Sequence, residues 1–273
     1  MIQKTKVLTL VVFGLLFINL SAQEDVFSND KVAKLPDSDR KFRFGLQFSP
    51  NISWLKTNTA GYKNEGPKVG FSYGLSVEYF MTKNYLFSTG INLLKTGGKL
   101  SYRGLFDVSD VQSINVYVPA DVEEDYTLKH IEIPLLLKLR TNEIGYLTYF
   151  GQFGFSMGFN YRASSEYDYF HELTGISGDK RSVILKENAS DEINWINLSL
   201  VLGVGIEYNI SGNTSVVLGL TFNNGFINQL DTKVHELDVN GNVLIGSDGN
   251  PVLSSKAASA NLNYVALNIA FYF

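Results

Sequence analysis

Residues 264–273 read YVALNIAFYF, and large apolar side chains occupy every second position of this stretch. One face carries Val265, Leu267, Ile269, Phe271 and Phe273, whereas the other face carries two tyrosines and small or polar residues. A period of two over about ten residues is the pattern of a strand that crosses a bilayer with its apolar face towards lipid. The stretch therefore predicts a transmembrane β-strand.

The same alternation occurs in further segments along the chain. These segments begin near Phe42, Val69, Tyr85, Ile131, Tyr149, Ile196 and Val216. Their second faces are rich in Gly, Ser and Asn, which would make a poor soluble core but suit the interior of a narrow barrel. We therefore expect an all-β fold, an eight-stranded antiparallel up-and-down transmembrane β-barrel of the outer-membrane type. The alternative is a soluble sandwich or lipocalin-like barrel, which would bury the apolar faces.

The connections between these segments alternate in length. Short ones span residues 81–84, 141–145 and 209–213, whereas long ones span 56–67, 97–125, 163–191 and 227–258. Short turns on one side and long loops on the other are typical of the periplasmic and extracellular ends of an outer-membrane barrel. An even number of strands then leaves both termini in the periplasm. The acidic stretch 121–125 is expected to face solvent in one of the long loops, and binding of a divalent cation is the alternative.

The N-terminal segment has the features of an export signal. Lys4 and Lys6 precede an apolar run over residues 7–20, and Ser21 and Ala22 follow it. This pattern predicts a signal peptide over 1–22, although an N-terminal anchor helix is an alternative. The charged stretch 23–40 is predicted to be a flexible periplasmic leader, and 41–273 the outer-membrane barrel domain.

Composition excludes several classes of protein. The chain has 27 acidic and 23 basic residues, so it has no basic footprint for nucleic acid. It contains no cysteine, which excludes both a disulfide framework and a lipidated cysteine. Aromatic residues make up 13% of the chain, which favours a barrel with aromatic girdles. No motif for a metal or a cofactor occurs, so we expect neither.

Four charged residues on the polar faces fall at one predicted level, near the short turns. They are Arg43, Glu78, Lys138 and Glu207. Charges inside a narrow barrel must pair, because an isolated charge there costs several kcal/mol. We therefore expect an ionic network that fills this end of the lumen, with Arg43 and Glu78 as a cross-strand pair. A proton or solute relay is the alternative.

A second polar group is predicted nearer the long loops. His130, Glu132 and Arg162 would share the upper lumen on neighbouring strands. Histidine beside a carboxylate or a serine could serve an enzyme that modifies lipids at the outer leaflet. No Ser-His spacing in the chain is specific for such chemistry, so we interpret the group as lumen polarity and expect no enzyme.

Residues 129–138 read KHIEIPLLLK and resemble the IEIPLLLK signature of the PorT-like family of outer-membrane β-barrels. The run FGQFG at residues 150–154 is similar to a second segment of that family. The resemblance implies an eight-stranded barrel in the outer membrane of a Gram-negative bacterium. It also implies that Pro134 is a family feature, and that the chain has a link to the assembly of a protein-secretion system.

The function that we expect is that of a non-enzymatic integral barrel, a structural, interaction or secretion-assembly component acting through its extracellular loops or periplasmic leader. A narrow porin for small solutes is the runner-up, and a lipid-modifying enzyme comes third. The expected partners are the outer-membrane bilayer, an envelope or secretion-system protein, and the barrel-assembly machinery, which would read Phe273 as a C-terminal insertion signal. No nucleic acid is expected.

Overall fold

The computed structural model describes residues 41–107, 117–171, 180–186, 188–211, 214–236, 238, 243–247 and 251–273. The predicted signal peptide, 1–22, and the predicted leader, 23–40, lie outside the described residues. Both therefore stay predictions.

The described residues form β-strands joined by turns and one short 3₁₀ turn, Ser190–Glu192. The strands are β1 (Phe42–Thr57), β2 (Lys63–Gly66), β3 (Lys68–Phe80), β4 (Tyr85–Asp107), β5 (Tyr117–Arg140), β6 (Leu147–His171), β7 (Lys180–Lys186), β8 (Ile196–Ser211), β9 (Thr214–Asn228), β10 (Lys233–His235), β11 (Leu253–Ala257) and β12 (Ala260–Tyr272). Within this part of the chain, no helix is long and apolar enough to cross a membrane.

Within the described residues, eight of these strands close into an antiparallel ring. The order around the ring is β1, β3, β4, β5, β6, β8, β9 and β12, and β12 pairs with β1 to close it. Gly45 lies opposite Tyr272 and Leu55 opposite Leu262 across this closing pair. Closure leaves the ring without an open edge, as a membrane requires. The predicted eight-stranded up-and-down barrel is confirmed.

Large apolar side chains cover the outside of the ring. On β1, for example, Phe44 and Leu46 are more than half exposed, while Arg43 between Phe42 and Phe44 is buried. We call this outer surface the apolar belt, and its members include Phe48, Leu75, Ile91, Leu93, Ile131, Leu135, Phe153, Phe159, Leu202, Leu220 and Phe271. Exposure of so large an apolar area to water would be unfavourable in free energy, so this surface is suited to contact with lipid.

The two ends of the ring differ. At one end, which we call the turn end, β3 and β4 are joined by residues 81–84 and β5 and β6 by residues 141–146. Gly145 adopts a φ of +68° in the second turn, a conformation that favours glycine. We call the opposite end, where the long connections lie, the loop end.

Two of the predicted long loops are partly wrong at the loop end. β4 continues to Asp107 and β5 begins at Tyr117, and residues 97–107 of β4 stay paired with residues 117–127 of β5. β6 likewise continues to His171 through the segment predicted as a loop. Most of the described outward side chains of these extensions are polar and most of the inward ones are apolar, so a pattern tuned to lipid-facing strands does not detect them.

The interior of the loop end is an apolar cluster. It comprises the buried residues Leu55, Leu100, Tyr126, Leu128, Ala163, Ala189, Ile193, Leu230, Ala258, Ala260 and Leu262, with Tyr62 and Val234 packed against them. We call it the loop-end core. Its members come from both the strand extensions and the connecting segments, so the connections fold over the barrel and contribute to its closure.

Candidate functional site: the filled interior of the barrel

The strand register brings oppositely charged residues together at the turn end. Arg43 of β1 lies directly opposite Glu78 of β3, and its Nε donates to Glu78 Oε2 at 3.1 Å. Lys138 of β5 reaches across the lumen, and its Nζ donates to Glu78 Oε1 at 2.8 Å. Glu78 is therefore bound by two cations from different strands, and it is completely buried.

Glu207 of β8 accepts hydrogen bonds from Arg43 and from a further cation, Arg140. Arg43 Nη2 donates to Glu207 Oε2 at 3.0 Å, and Arg140 Nη2 donates to Glu207 Oε1 at 3.0 Å. Arg43 Nη1 also donates to the hydroxyl of Ser215 at 3.1 Å. We call Arg43, Glu78, Lys138, Arg140 and Glu207 the ionic cluster.

Aromatic rings support the cations of the ionic cluster. Lys138 Nζ lies 4.0 Å from the ring centroid of Phe150, and Arg43 Cζ lies 4.4 Å from that of Tyr272. Phe150 fits inside because Gly205 faces it: a Cβ added to Gly205 would lie 2.4 Å from Phe150 Cζ. These contacts with aromatic faces stabilise the buried cations of the cluster.

The predicted members Arg43, Glu78, Lys138 and Glu207 thus lie in one group. Arg140 was not predicted to join them, although its position two residues after Lys138 places it on the same strand face. Phe150 was also missed, since alternation alone does not reveal an aromatic residue on the inner face. The cluster links β1, β3, β5 and β8 across the lumen and occupies its cross-section at the turn end.

A small cavity with a mixed polar and apolar lining lies between the ionic cluster and Glu132. Its volume is about 70 Å³, and its lining includes Gln47, Ser76, Lys138, Gln152, Thr221, Glu132 and Asn268. A space of this size holds a few water-sized molecules.

Glu132 lies at the opposite side of this cavity, fully inside the barrel. The Tyr264 hydroxyl donates to one of its oxygens, and Asn92 Nδ2 lies 3.4 Å from the other. No cation among the described residues forms an ion pair with Glu132. The carboxylate of Glu132 therefore accepts hydrogen bonds from neutral donors, whereas the carboxylate of Glu78 binds two cations.

His130 lies two residues from Glu132 on the same inner face and is completely buried. Neither of its ring nitrogens has a hydrogen-bond partner among the described residues. His130 and Glu132 thus share the upper lumen, as predicted, but do not contact each other through a hydrogen bond.

The prediction that Arg162 shares this upper lumen is wrong. The register of β6 against β5 shifts between Lys129 and His130: Arg162 pairs with Lys129, and Asn160 pairs with His130. Tyr161 is therefore an extra residue, a β-bulge, and the alternation of β6 changes phase there. Both Tyr161 and Arg162 are exposed on the outside, while Ala163 is buried.

A further buried carboxylate lies at the loop end, above the apolar belt. Glu124 of β5 is 2% exposed, and the Tyr102 hydroxyl donates to its Oε2 at 3.2 Å. Tyr62 stacks on Tyr102 with ring centroids 4.6 Å apart. Burial raises the pKa of Glu124 to about 7. The expectation that the whole acidic stretch 121–125 faces solvent is therefore wrong for this residue, because strand pairing turns alternate side chains inwards.

Phe273 follows β12 at the turn end. Its backbone N–H donates to the carbonyl of Phe44 at 2.9 Å, so it extends the pairing that closes the ring. Its side chain is exposed beside the apolar belt. The geometry fits an outward aromatic anchor, whereas its role as an insertion signal stays a prediction.

The closed ring, the apolar belt and the filled polar lumen define an integral membrane β-barrel. Within the described residues, no group of three or more His, Cys, Asp or Glu side chains is arranged to hold a metal ion. The sequence matches the family described as "Outer membrane protein beta-barrel domain" over residues 22–231. This match covers more than half of the chain, so the protein belongs to the outer-membrane β-barrel family.

Solved structures of bacterial barrels are similar to this chain at low identity. Neisserial surface protein A (NspA) is 12% identical over 84% of this chain and 95% of its own, with a TM-score of 0.38. OprG of Pseudomonas aeruginosa is 10% identical over 85% and 95%, with a TM-score of 0.39. The attachment invasion locus protein Ail of Yersinia pestis is 12% identical over 85% and 97%, with a TM-score of 0.31. With TM-scores this low, none of them bears on what this protein does.

A comparison with curated proteins gives no match.

Proposed function

We propose that this protein is a sealed, non-enzymatic outer-membrane barrel that serves as a docking scaffold for another component of the cell envelope. The observation that carries the proposal is the closure of the lumen at two levels. The ionic cluster fills the turn end, and the loop-end core fills the opposite end. A barrel that transports nothing through its lumen acts through its surfaces.

Closure at two levels argues against the narrow porin. A solute would have to separate Glu78 from Lys138 and Arg43, leaving buried charges unpaired, and then pass the loop-end core. Each step costs several kcal/mol. We expect no steady channels when purified protein is reconstituted in a planar bilayer. A variant with Arg43, Glu78, Lys138 and Glu207 all changed to Ser opens the turn end alone, and we expect it to form no steady channels either, because the loop-end core still fills the opposite end. Steady channels from the native protein would overturn the sealed barrel.

The loop end provides the larger surface for a partner. The extensions of β4, β5 and β6 are paired well beyond the apolar belt, which makes this end a folded platform. Its outward face carries the exposed carboxylates of Glu123 and Glu166, whereas the carboxylate of Asp125 is paired with Lys68 and Lys99. An envelope protein with a basic surface would complement this face.

The orientation is part of the proposal. We infer that the loop end faces the cell exterior and the turn end faces the periplasm, because long connections of outer-membrane barrels are extracellular. The chain has no cysteine, so single cysteines introduced at Glu123 and at Lys83 report each end cleanly. In intact cells, a maleimide that does not cross the membrane should label the cysteine at position 123 and not that at 83. The reverse pattern would contradict the orientation.

The most informative experiment for the function is crosslinking in intact envelopes followed by capture of the barrel. A variant with Glu123 and Glu166 changed to Lys should lose a crosslinked partner, whereas the matched variant Lys63→Glu, Lys233→Glu should retain it. Capture of a secretion-assembly component would support the role that the PorT-like resemblance implies. The same capture by both variants would reject the acidic face as the docking surface.

The enzyme alternative receives little support from the candidate residues. His130 is buried without access to the bilayer, and Arg162 lies on the opposite side of the barrel wall. Lipid mass spectrometry after deletion of the gene tests this alternative. We expect unchanged acyl chains, and altered chains that the intact gene restores would favour an enzyme.

For assembly, we propose that the barrel-assembly machinery recognises Phe273. Removal of Phe273 should reduce insertion into the outer membrane while leaving export to the periplasm unchanged. The matched variant Phe271→Ala keeps the final aromatic residue and should insert. Normal insertion without Phe273 would refute this role.

A further inference from the structure

Three cationic side chains lie side by side on the outer surface of the barrel. Lys95 of β4 pairs with Lys129 of β5, and Lys129 pairs with Arg162 of β6. All three point outwards, because their neighbours Leu94, Leu128, His130 and Ala163 are buried inside. We call Lys95, Lys129 and Arg162 the cation row.

The β-bulge in β6 completes the cation row. Without the extra residue Tyr161, the alternation of β6 would turn Arg162 into the lumen, as the sequence pattern predicts. With it, Arg162 lies outside and directly opposite Lys129. Bulges that redirect a side chain are frequent next to functional sites.

The cation row is electrostatically unfavourable for the barrel by itself. Like charges placed directly opposite each other across strands destabilise a sheet. Within the described residues, none of the three cations forms an ion pair. The nearest outward carboxylates along these strands, Asp125 and Glu166, lie four residues further towards the loop end, about 13 Å away along a strand. Asp125 already binds Lys68 and Lys99.

The position of the cation row coincides with the edge of the apolar belt. One step towards the turn end, Leu93, Ile131 and Phe159 form an apolar row in the same register. One step towards the loop end, Gly97, Thr127 and Ser164 are neutral. Exposed Tyr161 and the stacked pair Phe159 and Trp195 lie beside it. Cations and aromatic rings in this arrangement occupy the headgroup level of a bilayer.

We propose that the cation row binds the phosphate groups of membrane lipids in the leaflet at the loop end. Neighbouring strands are about 4.8 Å apart, so the three cations span about 10 Å. Such a row suits a bisphosphorylated glycolipid, with the planar guanidinium of Arg162 binding one phosphate through two hydrogen bonds. The lipid supplies a counter-charge to three cations that form no ion pair within the described residues.

Binding of lipid A to the full-length mature protein in detergent, followed by native mass spectrometry, tests the proposal. Bisphosphorylated lipid A should bind much more tightly than the same lipid without phosphates. The triple variant Lys95→Gln, Lys129→Gln, Arg162→Gln should lose this difference. At about fivefold for each interfacial cation, binding should weaken by roughly 100-fold. The control Lys63→Gln, Lys83→Gln, Lys233→Gln removes the same charge from other exposed positions and should bind as the native protein does.

The outcomes distinguish a lipid from a free anion. Millimolar inorganic phosphate should displace little lipid A, because the acyl chains contribute contacts with the apolar belt. Full displacement by inorganic phosphate would overturn the lipid assignment. Equal binding of the two forms of lipid A, or a triple variant that still prefers the phosphorylated form, would overturn the site itself. Circular dichroism and heat-modified migration of the variants verify that each one is folded.

Discussion

The two halves of this barrel use the same strands with opposite polarity. On β5, Ile131 faces outwards to lipid while His130 and Glu132 face into a polar lumen. Further along the same strand, Asp125 and Thr127 face outwards, while Tyr126 and Leu128 face into the loop-end core. The alternation of inward and outward side chains is unbroken along β5. The surroundings of the outer face change from lipid to water along the strand, and the interior changes from polar to mainly apolar.

The comparison shows which force holds each half together. Above the belt, the surroundings are water, so burying Leu128 and its neighbours gains hydrophobic free energy. Inside the belt, lipid is as apolar as any core, so burial of apolar groups gains little. There, ion pairs and hydrogen bonds hold the strands, because unpaired polar groups have no alternative partner.

The largest effect should follow from breaking the ionic cluster. Glu78→Gln removes the carboxylate that binds Arg43 and Lys138, and it leaves buried positive charge without compensation. We expect a loss of about 3–5 kcal/mol in the free energy of unfolding. Urea unfolding in phospholipid vesicles measures it, and the thermal stability in micelles should fall in parallel.

Two controls sharpen this prediction. Glu123→Gln removes an exposed carboxylate from the outer face of β5 and should change stability by less than about 0.5 kcal/mol. The double variant Glu78→Gln, Lys138→Met removes a charge of each sign and should recover part of the loss. Unchanged stability of Glu78→Gln would mean that the cluster does not hold the membrane half together.

The second largest loss of stability should be confined to the loop-end half. Leu128→Ala opens a cavity in the loop-end core and should cost about 2–4 kcal/mol locally. Hydrogen exchange should increase for amides of β4 and β5 above the belt, with the membrane half still protected. The matched variant Leu135→Ala faces lipid, which fills the space, and should have a much smaller effect. Equal increases in both halves would show that they unfold as one unit.

Much of the membrane half could be predicted from the sequence. Lipid-facing strands alternate large apolar residues with small or polar ones. This alternation indicates which residues of each strand face lipid, and the number of such segments predicts the number of strands. The charged residues Arg43, Glu78, Lys138 and Glu207 could be grouped because strand phase and length place them at one level.

The loop-end half could not be predicted in the same way. Most of its described outward residues are polar and most of its inward ones are apolar, as in the strands of a soluble sheet. A search for strands with an apolar outer face therefore predicts loops here. The bulge at Tyr161 also left no signal in the composition, since one extra residue changes the phase without changing the pattern on either side. Arg162 was misplaced for this reason.

A smaller effect, which depends on pH, should distinguish the halves further. Burial raises the pKa of Glu124 in the loop-end half to about 7, above its ordinary value. The folded state therefore holds this proton more tightly than the unfolded state does, and local stability should fall as the pH rises from about 4.5 to about 7. The change is at most roughly 3.4 kcal/mol. Hydrogen exchange around residues 122–126 at pH 5 and pH 8 measures it.

The variant Glu124→Gln should lose this pH dependence, since an amide does not titrate. The exposed neighbour Glu123→Gln should keep it. A dependence that survives in Glu124→Gln would assign the titration to another group.

The smallest effect should come from the exposed ion pair of the loop-end half. Arg103 Nη1 lies 3.9 Å from Asp121 Oδ1, and both side chains are largely exposed. Arg103→Gln should change the free energy of unfolding by less than about 0.5 kcal/mol. A loss as large as that of Glu78→Gln would mean that the outer charges of the platform stabilise the fold as the lumen charges do.

The central claim is that the barrel changes its surroundings from lipid to water at the level of Lys129. Spin labels on single cysteines along the outward face of β5 test it directly, in a chain that has no native cysteine. Oxygen, which partitions into lipid, should relax labels at Leu135, Ile133 and Ile131. A water-soluble nickel chelate should instead relax labels at Thr127, Asp125 and Glu123. Lipid-like accessibility that continues to position 123 would contradict the claim, because it would place the strand extensions within the membrane.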